Sequence, residues 1–167
     1  MEMSSTQLVP ASQKRTWQAL NDPEVLKACI PGCQSIEKKS DTEYDIAMAV
    51  KVGPVSAKFK GRMTLADLNP PESYTLGFEG QGGVAGFARG SAKVHLTPVD
   101  AGTELAYTVA AQVGGKLAQV GSRLIGGAAK KMADQFFNAF VKKVGDAAAA
   151  AGEQPSQTAA TEADKQR

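Results

Sequence analysis

The chain has 167 residues, of which 43% are hydrophobic and 22% charged, with a formal net charge of +2 and a pI of about 8.5. This size favours a single globular domain, and so small a charge argues against nucleic-acid binding, which usually needs a strongly basic domain. No window approaches the roughly 18 apolar residues of a membrane span, and residues 1–8 lack the apolar core of a secretory signal. The sequence therefore predicts a cytoplasmic protein in which Cys29 and Cys33 are reduced.

The first part of the chain predicts one strand followed by two short helices. Residues 2–9 favour an extended strand, and Ser12 is suited to cap a helix that runs to about residue 20. Asp22 and Pro23 mark a second helix start, because aspartate accepts hydrogen bonds from free N–H groups and proline suits the first helical position. Gly32, in the Pro-Gly pair that follows, ends this helix.

From about residue 34 the apolar period changes to two residues, which is typical of strands with one buried face. The clearest case is the run in which Val55, Phe59 and Met63 alternate with Lys58 and Lys60. Short turns rich in glycine, proline and aspartate separate the runs, and such spacing favours antiparallel neighbours. The runs with the clearest alternation cover residues 44–50, 55–65, 74–80, 92–96 and 105–113.

The last part of the domain predicts one long amphipathic helix over residues 116–151, because apolar residues recur every three or four positions from Leu117 to Val144. The pair Gly126-Gly127 predicts a bend or slack in this helix, since each glycine costs about 1 kcal/mol relative to alanine. Residues 152–167 lack an apolar pattern and are predicted to form a disordered polar tail. The domain is therefore predicted to span residues 1–151.

This order of elements predicts an α+β fold, in which a curved antiparallel sheet of about seven strands grips a long C-terminal helix. The two short helices lie between the first and second strands. The inward-facing residues include several small ones, which predict a cavity between the sheet and the helix. A tightly packed core is the alternative, because protein interiors are normally dense. The small inward-facing residues are Ala57, Gly61, Gly80, Ala92 and Ala111.

A series of short segments, in this order, resembles the G-subunit family of carbon monoxide dehydrogenase. That family belongs to the START-like (SRPBCC) superfamily, whose members have the helix-grip fold. The resemblance covers roughly residues 2–145, and the combination of segments is more specific than any one of them. The segments are Trp17–Leu20, Asn21–Glu24, Ile30–Cys33, Gly53-Pro54, Phe59–Gly61, the Gly80–Gly90 loop and Gly115–Leu124.

The resemblance implies a non-catalytic accessory protein that works beside a molybdenum hydroxylase of the carbon monoxide or xanthine dehydrogenase type. It implies a hydrophobic cavity, for which we hypothesise a quinone or another lipid as the ligand. We expect no permanently bound cofactor, and the small number of candidate ligands predicts no metal. A carrier of this kind works in the cytoplasm, where peripheral contact with the inner face of the membrane is a further expectation. No feature of the sequence indicates an oligomeric state.

The predicted ligand-binding residues are the large apolar and aromatic side chains that face the cavity or its mouth. Tyr44 and Tyr107 face the apolar side, where their hydroxyls could orient a ligand carbonyl or bond to a buried backbone group. The full set is Tyr44, Ile46, Met48, Phe59, Met63, Leu76, Phe78, Val84, Phe87, Val94, Tyr107, Val109, Leu117, Val120, Leu124 and Phe136.

Motifs that superficially indicate other chemistry have simpler interpretations. Cys29 and Cys33 lack the further ligands that a metal site needs, and His95 lies on a polar strand face without a catalytic partner. The glycines of residues 80–86 precede a strand, whereas a dinucleotide fingerprint must precede a helix. They are interpreted as a flexible hairpin at the cavity mouth, with Val84 and Phe87 as apolar gate residues; an ordinary mobile loop is the alternative.

Basic residues on the polar side of two adjacent strands are either a solvated face or a docking patch for an acidic enzyme surface or anionic lipid headgroups. These residues are Lys51, Lys58, Lys60 and Arg62. Three functions remain open at this point: a carrier of a hydrophobic ligand, an assembly factor that binds its partner through surface contacts, and a cyclase or hydrolase that uses the cavity. Fold alone does not decide among them.

Overall fold

A computed structural model of the protein describes residues 1–152. It contains seven strands and four α-helices, numbered here in chain order. These elements are β1 Glu2–Val9, α1 Gln13–Leu20, α2 Pro23–Cys29, β2 Cys33–Lys38, β3 Glu43–Val52, β4 Val55–Asn69, β5 Ser73–Gln81, β6 Phe87–Val99, β7 Gly102–Gly114, α3 Lys116–Gln119 and α4 Ser122–Ala150.

The strands form one antiparallel sheet in the order β1-β7-β6-β5-β4-β3-β2. Consecutive strands from β2 to β7 are neighbours, and only β1 pairs out of sequence, with β7. The crossing from β1 at one edge of the sheet to β2 at the other is made by α1 and α2. The predicted α+β architecture, with about seven strands, two early short helices and a long final helix, is confirmed.

Both short helices begin as their sequences predict. The amide of Arg15 donates to the hydroxyl of Ser12 at 3.2 Å, and the amide of Glu24 donates to the carboxylate of Asp22 at 2.9 Å. These caps satisfy N–H groups that lack a partner within the helix. The caps fix where α1 and α2 begin.

Gly126 and Gly127 do not interrupt the helix, because both lie inside the continuous helix α4. The interruption falls earlier, at Gly121, where a φ of 97° separates the short helix α3 from α4. A helix tolerates glycine at an energetic cost, whereas a positive φ stops it. The predicted single helix of residues 116–151 is therefore two helices.

The inner face of the sheet packs against two separate clusters of apolar side chains. The main core joins the C-terminal half of α4, through Phe140, Val144 and Ala148, to α1, α2 and one end of the sheet. The end core lies at the other end of the sheet and joins Val52, Phe59, Ala85 and Leu117. In backbone distance α4 lies closest to α2, β1, α1 and β3, and it stands further from the central strands β4, β5 and β6.

No helix within residues 1–152 is long and apolar enough to cross a membrane. The predicted disordered tail of residues 152–167 lies, after Gly152, outside the described residues.

Candidate functional site

A group of inward-facing apolar side chains lies between the two cores and belongs to neither. Ile46, Met48 and Phe78 are on the inner face of the sheet, in register with inward-facing neighbours on β4 and β6, yet each is only half-buried. An inward-facing side chain that stays half-exposed must border space that solvent can enter. We call this region, between the main core and the end core, the inner space.

Burial falls along several strands in the direction of the end core, which defines the floor of the inner space. Tyr44 on β3 and Tyr74 on β5 are buried, whereas the next inward-facing residues toward the end core, Ile46 and Leu76, are half-buried. The same step occurs from Leu65 to Met63 on β4 and from Tyr107 to Val109 on β7. The floor is therefore the upper surface of the main core.

The helix side of the inner space is lined by small residues. Gly126 precedes the buried Val144 by 18 residues, which is five turns at about 3.6 residues each, so both lie on one stripe of α4. Ala129 and Ala133 follow on the same stripe, before its large members Phe137 and Phe140 begin. A Cβ atom placed on Gly126 would meet nothing within 4 Å, although this stripe faces the sheet. Gly126 thus has room for a side chain on this stripe.

The apolar series that predicted the inward side of the helix does not lie on one face: Phe140 and Val144 belong to the main core and Ala128 packs against the end core, whereas Leu124 is exposed. A step of four residues turns a helix by about 400°, so a series in fours drifts by roughly 40° per step. Leu124 is four such steps before Phe140 and faces roughly 160° away from it. It is 48% exposed and lies near Gly53 of the β3–β4 turn. Gly126, Ala129 and Ala133, which the series missed, are half-buried.

The structure divides the predicted site residues into four groups. Those around the inner space are Ile46, Met48 and Phe78, together with Met63, Leu76, Val109 and Phe136, which also pack against the main core. Those in the end core are Phe59, Leu117 and Val120. Those buried in the main core are Tyr44, Val94 and Tyr107. Those outside both cores and the inner space are Val84, Phe87 and Leu124.

The two predicted gate residues do not face the inner space. Val84 is 85% exposed at the tip of a single 3-10 turn that joins β5 to β6. Phe87 begins β6 and shares its outward parity with Arg89, whose guanidinium carbon lies 5.3 Å from the Phe87 ring centre. Because side chains alternate along a strand, Phe87 lies on the outer face of the sheet.

The outer face of the sheet carries two open depressions, with volumes of about 780 Å³ and 560 Å³. A row of cross-strand neighbours runs along them: Asp45, Arg62, Glu79, Arg89 and Gln112. Arg62 lies 3.5 Å from the Asp45 carboxylate, and Arg89 donates to the Gln112 side chain. Such pairs stabilise neighbouring strands, and a charged lining is costly for an apolar ligand to cover.

Two cysteines and one histidine were the candidates for other chemistry. Cys29 is buried and Cys33 half-buried, both are free, and burial raises the pKa of each thiol. His95 is exposed, with its ring 3.5 Å from Glu72. Within residues 1–152 no group of three or more His, Cys, Asp or Glu side chains converges as metal ligands do.

Comparison with solved structures identifies the fold. A conserved protein from Geobacillus kaustophilus is 31% identical, with a TM-score of 0.81 over 87% of this chain and 96% of that one. The ZhuI aromatase/cyclase from Streptomyces sp. R1128 is 13% identical, with a TM-score of 0.65 over 92% and 98% of the two chains. Ara h 8.0201 is 15% identical, with a TM-score of 0.60 over 86% and 97%. These similarities confirm the predicted helix-grip fold.

Sequence comparison places the chain in a family. A search of curated proteins finds no match. The family model described as the G subunit of carbon monoxide dehydrogenase (CoxG) matches residues 6–145, which is most of the chain. The predicted family resemblance is therefore confirmed, and this protein belongs to the CoxG family.

Proposed function

We propose that this protein is a non-catalytic accessory protein that binds an apolar molecule, such as a quinone or another lipid, in the inner space. The observation that carries the proposal is the band of half-buried, inward-facing apolar side chains between two well-packed cores. Such side chains gain free energy when a ligand removes them from water, at roughly 25 cal/mol per Å². The partner we propose, from family membership, is a molybdenum hydroxylase of the carbon monoxide or xanthine dehydrogenase type.

A binding role accounts for the inner space better than catalysis does. General acid–base chemistry needs a titratable group within hydrogen-bond reach of the reacting atom. The side chains identified around the inner space are aliphatic, aromatic or thioether groups, without a carboxylate or an imidazole. The aromatase/cyclase similarity concerns the fold, and a cyclase or hydrolase remains the alternative that turnover by the isolated protein would reveal.

The distribution of charge supports a docking face at the end-core end of the molecule. Residues 50–58, 80–88 and 113–131 contain no aspartate or glutamate, and they meet in the end core through Val52, Ala85 and Leu117. We call these segments the acid-free end. Its exposed cations Lys51, Lys58, Lys116 and Arg123 form no ion pair within the described chain. We propose that this end docks on an anionic surface, either the partner enzyme or the inner face of the membrane.

The experiment that tests ligand binding is mass spectrometry of an organic extract from gently purified protein. A protein of similar size from the same cells is the matched control. We expect an apolar molecule to co-purify in near-stoichiometric amount. An empty extract, together with no saturable binding of quinone analogues, would contradict the carrier function. Binding of the hydroxylase by this ligand-free protein would then favour an assembly factor.

A further inference from the structure

The three tyrosines of the chain all lie in the floor of the inner space, and the hydroxyl groups of two of them, Tyr74 and Tyr107, form no hydrogen bond within residues 1–152. The Tyr44 hydroxyl donates to the backbone carbonyl of Asn21 at 3.1 Å. Tyr107 stacks on Phe137 with ring centres 5.1 Å apart, and its phenol lies close enough to Lys130 to interact with it electrostatically. The Tyr74 hydroxyl has no hydrogen-bond partner within residues 1–152, although Tyr74 is only 5% exposed.

A buried hydroxyl without a partner requires an explanation, because most buried polar groups in folded proteins are hydrogen-bonded. The Tyr74 ring is well held, since Trp17 packs against it edge-on with ring centres 5.3 Å apart. Burial, with a smaller effect of nearby Tyr44, raises the pKa of Tyr74, so its phenol keeps its proton at physiological pH. Tyr74 therefore offers a fixed O–H donor that no described group uses.

Tyr74 lies on the inner face of β5, next along the strand to the residues that border the inner space. Leu76 and Phe78, the next two inward-facing residues of β5, are both half-buried and lie on the way to the end core. A strand advances about 3.3 Å per residue, so Tyr74 and Phe78 are about 13 Å apart along it. An apolar molecule that lies along Leu76 and Phe78 would bring one end to Tyr74.

We propose that Tyr74 anchors the ligand by donating a hydrogen bond from its hydroxyl to a carbonyl oxygen of the bound molecule. This inference rests on the proposed ligand binding and narrows it to a chemical class: a neutral, apolar molecule that carries a carbonyl group at its leading end. The apolar side chains give affinity without direction, whereas one buried donor fixes which end enters first.

The test compares two probes that share one bicyclic body. Menadione carries two ring carbonyls, and 2-methylnaphthalene carries none. Binding of each is followed through the fluorescence of Trp17, the single tryptophan of the chain, which touches Tyr74. We expect Tyr74→Phe to weaken menadione binding about tenfold, the usual size for one lost hydrogen bond, and to leave the affinity for 2-methylnaphthalene unchanged.

A spectroscopic measurement separates anchoring from a merely structural role. The infrared carbonyl stretch of bound menadione should lie at lower frequency in the native protein than in Tyr74→Phe, because hydrogen bonding weakens the C=O bond. Tyr44→Phe is the matched control, since it removes a hydroxyl that is already bonded to Asn21. In Tyr44→Phe the carbonyl stretch of bound menadione should stay at its frequency in the native protein.

The outcomes distinguish this inference from the proposed function. If both probes bind and Tyr74→Phe changes neither affinity nor carbonyl frequency, the inner space binds ligands but Tyr74 is not the anchor, and a buried water explains its hydroxyl. If neither probe binds saturably to the native protein, the proposed ligand binding is contradicted. The anchoring role of Tyr74 is then contradicted as well, because it depends on that binding.

Discussion

At the residue scale, the buried phenols of Tyr44 and Tyr74 link stability to pH. Burial is the main cause that raises both pKa values above the ordinary 10.0. The folded state therefore favours the neutral phenols, and their contribution is complete below pH 10.0 and is lost as the pH rises toward the folded-state pKa values. We expect the free energy of unfolding to fall above this pH, as measured by urea denaturation at a series of pH values.

The matched variant for this pH dependence is Tyr74→Phe, which removes the more strongly shifted phenol. Its free energy of unfolding should fall less steeply with alkaline pH than that of the native protein, while Tyr44 still contributes. Equal slopes in the two proteins would show that Tyr74 does not resist ionisation. At neutral pH we expect Tyr74→Phe to be at least as stable as the native protein, because no bonded hydroxyl is lost.

What the sequence reveals about single residues follows from the regularity of strands. Period-two alternation placed Tyr44 and Tyr107 on the inner face, and the structure confirms that both are buried there. The missing partner of Tyr74 could not be predicted, because hydrogen bonding of a buried side chain depends on tertiary neighbours. Asn21, which satisfies Tyr44, is 23 residues away in sequence. Phe87 was wrongly predicted to lie at the cavity mouth, because the glycine-rich loop before it has no alternating pattern that would show which face of the strand it belongs to.

At the element scale, the first half of α4 allows a direct test of the inner space with a matched control. Gly126 is half-buried and Gly127 is exposed, and a Cβ atom on either would meet nothing within 4 Å. Replacing either with leucine should stabilise the helix by about 1 kcal/mol through propensity alone. Gly126→Leu should also fill the inner space and weaken menadione binding by about tenfold or more, which requires only about 1.4 kcal/mol. Gly127→Leu should bind menadione as the native protein does.

Thermal denaturation and menadione titration of both variants check this prediction. Equal binding by the two variants would mean that ligand does not lie under Gly126, and the inner space would then be unoccupied along α4. A large loss of stability in Gly126→Leu alone would contradict the open space itself, because a side chain placed there would have to collide with the sheet.

The elements that caps and turns define were predicted well, whereas the helix face was not. Ser12 and Asp22 determine helix starts through local hydrogen bonds, which a short stretch of sequence reveals. The break at Gly121 depends on a backbone angle that glycine permits at many positions, so composition alone pointed to Gly126-Gly127. The stripe of small residues was missed because the apolar residues spaced four apart were taken to mark the inward side of the helix.

At the scale of the whole molecule, the two halves of α4 differ in how extensively they pack against the main core. The C-terminal half is fixed by Phe140, Val144 and Ala148 in the main core, while the first half spans the inner space. Local opening costs least where few apolar contacts are made, so the first half of α4 and the turns around it are the region through which a ligand would enter. The same region carries the acid-free end, so a docked partner would sit beside the entry.

This arrangement predicts that docking depends on the charge of the acid-free end. Lys51→Glu, Lys116→Glu and Arg123→Glu together replace three of its exposed cations. We expect the triple variant to lose binding to phosphatidylglycerol vesicles or to the purified hydroxylase, whichever the native protein binds, as measured by co-sedimentation or pull-down. Binding of the native protein should weaken with added salt, because the Debye length falls from about 10 Å at 0.1 M to about 3 Å at 1 M.

The control for this prediction changes the net charge equally at the other end of the molecule. Lys14, Lys27 and Lys143 are exposed on α1, α2 and the C-terminal half of α4. Their combined change to glutamate should leave docking largely intact if position matters, and should abolish it if only net charge matters. Native-like docking by the acid-free-end variant would contradict this surface directly, while unchanged menadione binding in both variants would show that the inner space is preserved.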